Sequence, residues 1–196
     1  MQDYLRATEI IDWDHPDVLK KAKEISGNLK NPVEISRLCF EWVRDEILHS
    51  YDHKMDPVTL KASEVLEHRT GYCYAKSHLL AALLRANSIP AGLCYQRLSR
   101  DDNGAPFCLH GLNAVYLPGT GWYRIDARGN KKGVDARFTP PIEQLAFDIK
   151  LRDEADLPEI WPDPLPVVVK VLEKYTGYQD VFENLPDIPL IQKKKV

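Results

Sequence analysis

Cys73, His110 and Asp126 are the residues whose types and order could together carry out a reaction. A thiolate attacks carbonyl carbon readily. An imidazole has the proton affinity to serve it near neutral pH, and a carboxylate behind the imidazole fixes its tautomer and stabilises its cation. Cys73 opens the run CYAKSHLLAALLRA (73–86), which is rich in Ala and Leu and apolar on most sides, the pattern of a central buried helix. In the first turn of such a helix, unpaired backbone N–H groups and the positive end of the dipole favour the thiolate. The N–H of Cys73 itself is placed to help hold an oxyanion. A structural buried cysteine would give the same local pattern, so the case turns on the partners.

Among the histidines, His15, His49, His53 and His68 fall in expected termini or loops, where surface positions account for them. His78 is five residues after Cys73 on the same helix, and at about 100° per residue it faces a largely different side. His110 follows a turn and begins an expected strand, on one face with Leu112, Ala114 and Tyr116. Asp126 ends the next strand, WYRID. If 109–117 and 122–127 pair across the Pro118-Gly119-Thr120-Gly121 turn, the start of one strand meets the end of the other, bringing Asp126 towards His110. A surface pairing of Asp126 with Arg124 or Arg128 is the competing reading.

The elements that must hold these residues are legible in outline. Helices are expected over 16–29 and 32–48, each with proline in its first turn; Asn31 and Glu34 mark the second start. Ile35, Leu38, Cys39, Trp42, Val43 and Ile47 form its apolar stripe, which makes Cys39 a core residue. Residues 49–60 read as a loop and 62–69 as a short helix, with Gly71 giving a flexible approach to Cys73. From Pro90 the pattern changes to three strands, 91–98, 109–117 and 122–127, with turns at Asp101-Asp102-Asn103-Gly104 and 118–121. Helices first and an antiparallel meander second give an α+β domain. The proline-rich stretch 131–196 reads as an extension wrapping a core of about 33–130, with short helices expected at 141–148 and 166–176, so that 1–196 is one domain.

Composition narrows the function. The chain has 196 residues, 44% hydrophobic and 28% charged, with a formal net charge of −3. A chain of that size builds a core without disulfides or metals. Without a basic excess, no nucleic-acid or membrane partner is expected, and Lys193 to Lys195 read as a solvated terminus. The N-terminal segment lacks the basic start and apolar run of a signal peptide, so the cytoplasm is the default location and Cys39, Cys73, Cys94 and Cys108 are expected as free thiols. None of the four forms a CxxC pair, and no acidic loop suits calcium. Neither a metal nor a cofactor is expected, although Cys73, His110 and Asp126 are residue types that can ligate zinc.

The motifs extend beyond three residues. WVRDEI, ASEVLEHRTGYC, LLRANSIPAGL and HGLNAVYLPGTGWYRIDARGN follow one another between about residues 33 and 130. In this order they resemble the transglutaminase-like superfamily, a group with a papain-related Cys-His-Asp fold, and this chain looks like a small prokaryotic-type member. Gly71-Tyr72-Cys73 matches the family's cysteine motif. Arg85 to Ala91 matches its Arg-Ala-x-Gly-Ile-Pro-Ala passage, and His110 and Trp122 to Asp126 match its histidine and Trp-x-x-x-Asp strands. Ser88 stands where the family usually has glycine, and Leu112 where tryptophan is often found, which leaves room for altered substrate selection.

The resemblance implies that Cys73 is the nucleophile, His110 the base and Asp126 the orienting acid, acting on a peptide or protein amide through a thioester. Hydrolysis is the favoured outcome; amine transfer, as in protein-glutamine cross-linking, is the alternative. A non-catalytic binding module on the same fold and a coenzyme A-dependent acetyltransferase are further readings. A second oxyanion donor is needed; Tyr51 by analogy and Gln96 by position are candidates, although an ordinary structural role explains each.

Overall fold

Proline in the first turn starts the opening helices where the sequence predicts. A computed structural model describes residues 1–190; the basic end Lys193–Lys195 lies outside them. Helix α1 spans Pro16–Ser26, with the His15 ring accepting from the Asp17 N–H, and stops at Gly27, whose φ of 52° suits a residue without a Cβ. Helix α2 spans Pro32–Glu46 and is capped by Asn31, whose side chain accepts from the Val33 N–H at 3.0 Å. Its stripe of Ile35, Cys39, Phe40 and Val43 is buried.

The expected loop at 49–60 is partly ordered into elements. Strand β1 (Leu48–His49) leads into the single turn α3 (Ser50–His53), helix α4 follows at Ala62–His68, and β2 (Thr70–Gly71) pairs in parallel with β1. The pairs are Leu48 with Thr70 and His49 with Gly71. Gly71 is therefore part of a strand bridge that pins the approach to the next helix, rather than a flexible lead.

That helix, α5 (Cys73–Ala86), is the centre of the molecule. Every residue from Cys73 to Arg85 is buried, and α1, α2, α4 and the main sheet pack around it. Leu79, Leu80, Leu83 and Leu84 are fully enclosed, each contributing about 1.5–3 kcal/mol of burial free energy. The main sheet has strands β3 (Ala91–Ser99), β4 (Phe107–Leu117), β5 (Gly121–Ile125) and β6 (Ala155–Asp156), in the order β5-β4-β3-β6, all antiparallel. One face lies on α5. The other carries Cys94, Leu112 and Ala114 under Trp122, Leu145 and Ile160. Helices first and an antiparallel sheet second make this an α+β fold.

After β5 the chain runs back over the sheet. Leu93 and Trp161 exchange both backbone hydrogen bonds, at 2.7 and 2.8 Å. Helices α6 (Pro166–Lys174) and α7 (Tyr178–Glu183) close the fold. The helix expected at 141–148 does not form. Its backbone groups are engaged elsewhere, through a bridge between Arg137 and Gln144 and, further on, at the site described below. No described helix is long and apolar enough to cross a membrane.

Candidate active site

Cys73 begins α5 at the bottom of a cleft of about 490 Å³ and keeps 7% of its surface exposed. Tyr72, the residue before it, supplies no side-chain cap to the helix start, so the first-turn N–H groups are not occupied by a cap. The next strand comes very close. The Gly111 N–H points at the Cys73 sulfur at 3.4 Å, and a Cβ on Gly111 would lie 2.9 Å from Tyr74 Cδ1 and 3.1 Å from Tyr74 Cα. Only glycine fits there. Polar contacts fasten β4 to α5 on both sides of His110. The Tyr74 hydroxyl donates to the Leu109 carbonyl, and Asn113 Nδ2 donates to Ser77 O at 2.9 Å and to Gly92 O at 3.3 Å.

His110 and Asp126 meet as the hairpin argument expects. The β4–β5 register ends with Asn113 opposite Ile125, so Asp126 continues one residue beyond the pairing and lies diagonally from His110. His110 Nε2 and Asp126 Oδ2 are 2.7 Å apart, and both side chains are buried. Asp126 also accepts the Arg128 N–H at Oδ1 and the Ala146 N–H at Oδ2, each at 3.1 Å. The irregular 141–148 segment thus spends its backbone on holding Asp126. The competing pairings are not formed: Arg124 binds Glu143 and Asp156, and the Arg128 guanidinium forks onto Asp52.

With Nε2 given to Asp126, Nδ1 is the nitrogen left for the Cys73 sulfur, whose charge acts on the ring. Burial disfavours the imidazolium, but the charges of Asp126 and Cys73 and the hydrogen bond to Asp126 outweigh it and raise the His110 pKa to about 10. Burial opposes the Asp126 carboxylate as well; the His110 charge and three hydrogen bonds prevail and hold its pKa below the usual range. Phe147 stands edge-on to the imidazole, with ring centres 5.0 Å apart. The remaining thiols differ from Cys73 in their setting. Burial pushes Cys39, Cys94 and Cys108 up to about 12, which keeps them protonated and inert, although Cys108 lines the cleft.

The cleft wall is mainly apolar, with Tyr72, Leu98, Leu109, Phe147, Phe182 and Leu185, while Arg100, Asp102 and Lys150 also line it. Tyr51 lines it too, but its ring stacks flat on Phe182 at 3.8 Å. Gln96 is used structurally: its Nε2 donates to Phe147 O and to Asp156 Oδ1.

Two further histidines are buried, and one of them, His49, departs from the surface position expected of it. His78 is buried with Nδ1 against the Leu60 carbonyl at 2.8 Å, and burial lowers its pKa to about 4. His49, expected at the surface, is buried and lines the cleft. The β1–β2 pairing sets it opposite Gly71, two residues before Cys73, and its ring meets Tyr72 edge-on with centres 5.3 Å apart. Burial, reinforced by the positive charge of Arg128, holds its pKa well below 6.5 and keeps it neutral. A two-residue strand carries no periodic pattern, so the sequence held no signal for this position. Among the described residues no group of three or more His, Cys, Asp or Glu side chains is arranged to hold a metal ion.

Comparison with known proteins bears on the same stretch of chain. Among solved structures, the protein is similar to a provisionally assigned cysteine protease from Cytophaga hutchinsonii, at 23% identity and a TM-score of 0.51, over 64% of this chain and 40% of that one. It is also similar to the periplasmic domain of TgpA from Pseudomonas aeruginosa, at 17% identity and a TM-score of 0.46, over 64% of this chain and 45% of that one. The chain thus spans less than half the length of either, and the first likeness shows the fold alone. No curated protein matches it. The family model described as the transglutaminase-like superfamily matches residues 20–127. Because that match takes in more than half of the sequence and runs from α1 to just past Asp126, the chain belongs to the transglutaminase-like superfamily.

Proposed function

We propose that the protein is a cysteine-dependent enzyme that cleaves amide or peptide bonds through a thioester on Cys73, with water as the final acceptor. The observation that carries this reading is the buried His110–Asp126 hydrogen bond of 2.7 Å beside a cysteine at the floor of an open cleft. The Cys73 thiolate attacks the carbonyl carbon, and the oxyanion that forms is met by the N–H of Cys73 at the helix start. The imidazolium of His110 then gives its Nδ1 proton to the leaving amine as the C–N bond breaks. Neutral His110 takes a proton from water, hydroxide adds to the thioester, and the C–S bond breaks to release the acid. Asp126 stays ionised throughout and holds the ring in the required tautomer. Water is the favoured acceptor because the cleft opens to solvent. Its apolar wall suits a hydrophobic residue on the acyl side of the cleaved bond.

Peptide 4-nitroanilides with an apolar acyl residue test this. Wild-type protein is expected to release nitroaniline, and Cys73→Ala to lose at least about 10³-fold of that rate. A Cys73→Ala variant with full activity refutes the proposal. Added hydroxylamine diverts part of the thioester to hydroxamate; diversion that dominates even at millimolar acceptor points to amine transfer instead.

A further inference from the structure

We infer that His49 is a catalytic residue: its Nε2–H donates a hydrogen bond to the oxyanion formed when Cys73 attacks a carbonyl, and so supplies the side-chain half of the oxyanion hole. This rests on the thioester reading above. That reading leaves one donor unassigned, because a single backbone N–H at Cys73 meets only one side of a developing oxyanion. Gln96 is committed to Phe147 and Asp156 and does not line the cleft.

Position is the first observation. The strand bridge fixes His49 opposite Gly71, and the chain from Gly71 runs through Tyr72 directly into the helix start at Cys73. His49 and the first turn of α5 are therefore held together by backbone pairing. The ring lines the same cleft as Cys73 and His110, and the Tyr72 ring packs against it.

Orientation is the second. His49 forms part of the wall between the cleft and a neighbouring hollow of about 460 Å³ lined by Asp52, Lys76 and Lys131. Nδ1 points to the hollow side, where Asp52 Oδ2 is 4.0 Å away, and it is sealed from solvent without a hydrogen-bond partner. Asp52 does not line the cleft. The opposite edge of the ring, carrying Nε2, therefore faces the cleft.

Protonation is the third. Asp52 Oδ2, the acceptor on that side, is turned to Arg128 and lies at 4.0 Å, beyond hydrogen-bond reach, so nothing within bonding distance accepts a proton on Nδ1. A buried N–H without an acceptor is rarer and more costly than an under-used lone pair. The proton accordingly belongs on Nε2, where cleft water or a substrate oxygen can accept it. Burial and Arg128 keep the ring neutral. A neutral imidazole still donates, and it adds no cation to compete with His110 for the thiolate.

The experiment uses two reagents that reach the same sulfur by different transition states. p-Nitrophenyl acetate acylates Cys73 through a tetrahedral oxyanion: the S–C bond forms, the ester C–O bond breaks and nitrophenolate leaves. Iodoacetamide alkylates Cys73 by displacement of iodide, with no oxyanion. Both rates are followed at Cys73 by mass spectrometry in wild type, His49→Asn and His49→Gln. The Asn amide falls at the place of Nδ1 and cannot reach the cleft, whereas the Gln amide reaches the place of Nε2. The expected result is an acetylation rate about 10²–10³-fold lower in His49→Asn, restored to within about tenfold of wild type in His49→Gln, with alkylation of Cys73 unchanged in both. Equal acetylation in all three proteins overturns the inference. So does an alkylation rate that falls in parallel with acetylation, which would place His49 in thiolate formation, or a Gln variant no better than Asn. A wild type that alkylates but never acetylates at Cys73 instead refutes the thioester reading itself.

Discussion

At the scale of single residues, Asp126 governs how long His110 keeps its proton. The raised His110 pKa of about 10 comes from charge and hydrogen bonding against a burial penalty. Removing the Asp126 charge takes away the stronger of the two opposing charge effects and a hydrogen bond, and leaves Cys73 alone to offset the penalty. Asp126→Asn should therefore move the alkaline limb of the kcat/KM profile down from near pH 10 and lower the rate at pH 7 by about 10³-fold. The sign follows from the role: the imidazolium is the acid, so activity is lost as pH rises through its pKa. A pH–rate series on both proteins checks this, and an unmoved alkaline limb contradicts it. Of the site residues, Cys73 and Asp126 were readable because they lie at a helix start and just past a strand end that the sequence marks, and His110 because a turn precedes its strand, although β4 begins at Phe107, three residues ahead of it. His49 was not readable. It owes its burial to a two-residue parallel bridge with Thr70 and Gly71, a contact across more than twenty residues that no local pattern announces.

At the scale of elements, the reacting groups depend on how closely β4 lies on α5. Gly111 sets that distance, because any Cβ there collides with Tyr74 at 2.9 Å. Gly111→Ala should push the strand off the helix start, destabilising the fold by about 1–3 kcal/mol and separating His110 from Cys73. Thermal melts and the 4-nitroanilide assay measure the two effects. A variant with wild-type melting temperature and activity would show that the contact yields freely. The strong helices were legible from proline starts and apolar stripes, and the meander from its turns. The stretch 141–148 misled because Pro140-Pro141 before it resembles a helix start. Its backbone is instead spent on the site, with the Ala146 N–H on Asp126 and the Phe147 carbonyl on Gln96. That demand comes from tertiary partners distant in sequence, which propensity does not encode.

At the scale of the whole molecule, four basic side chains are buried with lowered pKa values: His78 at about 4, Lys76 at about 7, Arg85 at about 10, and His49 well below its usual 6.5. Burial is the largest cause in each. The unfolded chain binds these protons more readily than the folded one, so stability rises with pH and is lost as pH falls, for the histidines from about 6.5 downwards. His78 alone accounts for on the order of 3 kcal/mol between neutrality and pH 4. Denaturant midpoints should fall steadily over that range. His78→Asn, which keeps a donor for the Leu60 carbonyl but does not titrate, should flatten the fall; an equal slope in the variant contradicts the assignment. Residues 182–187 also reach the site. Asp187 is gripped at both oxygens by Arg97 at 2.7 Å, the Leu109 N–H donates to Pro186 O at 2.7 Å, and Phe182 and Leu185 line the cleft, so this segment supplies part of its wall. Everything else depends on whether Cys73 and His110 work as a nucleophile–base pair. The most direct measurement is the rate of iodoacetamide alkylation at each cysteine against pH, mapped by mass spectrometry in wild type and His110→Ala. Cys73 is predicted to react far faster than Cys39, Cys94 and Cys108 at pH 7 and to lose that advantage in His110→Ala. A Cys73 that reacts no faster than Cys39, or an advantage that survives loss of His110, would contradict the account and leave a binding module on an enzyme fold.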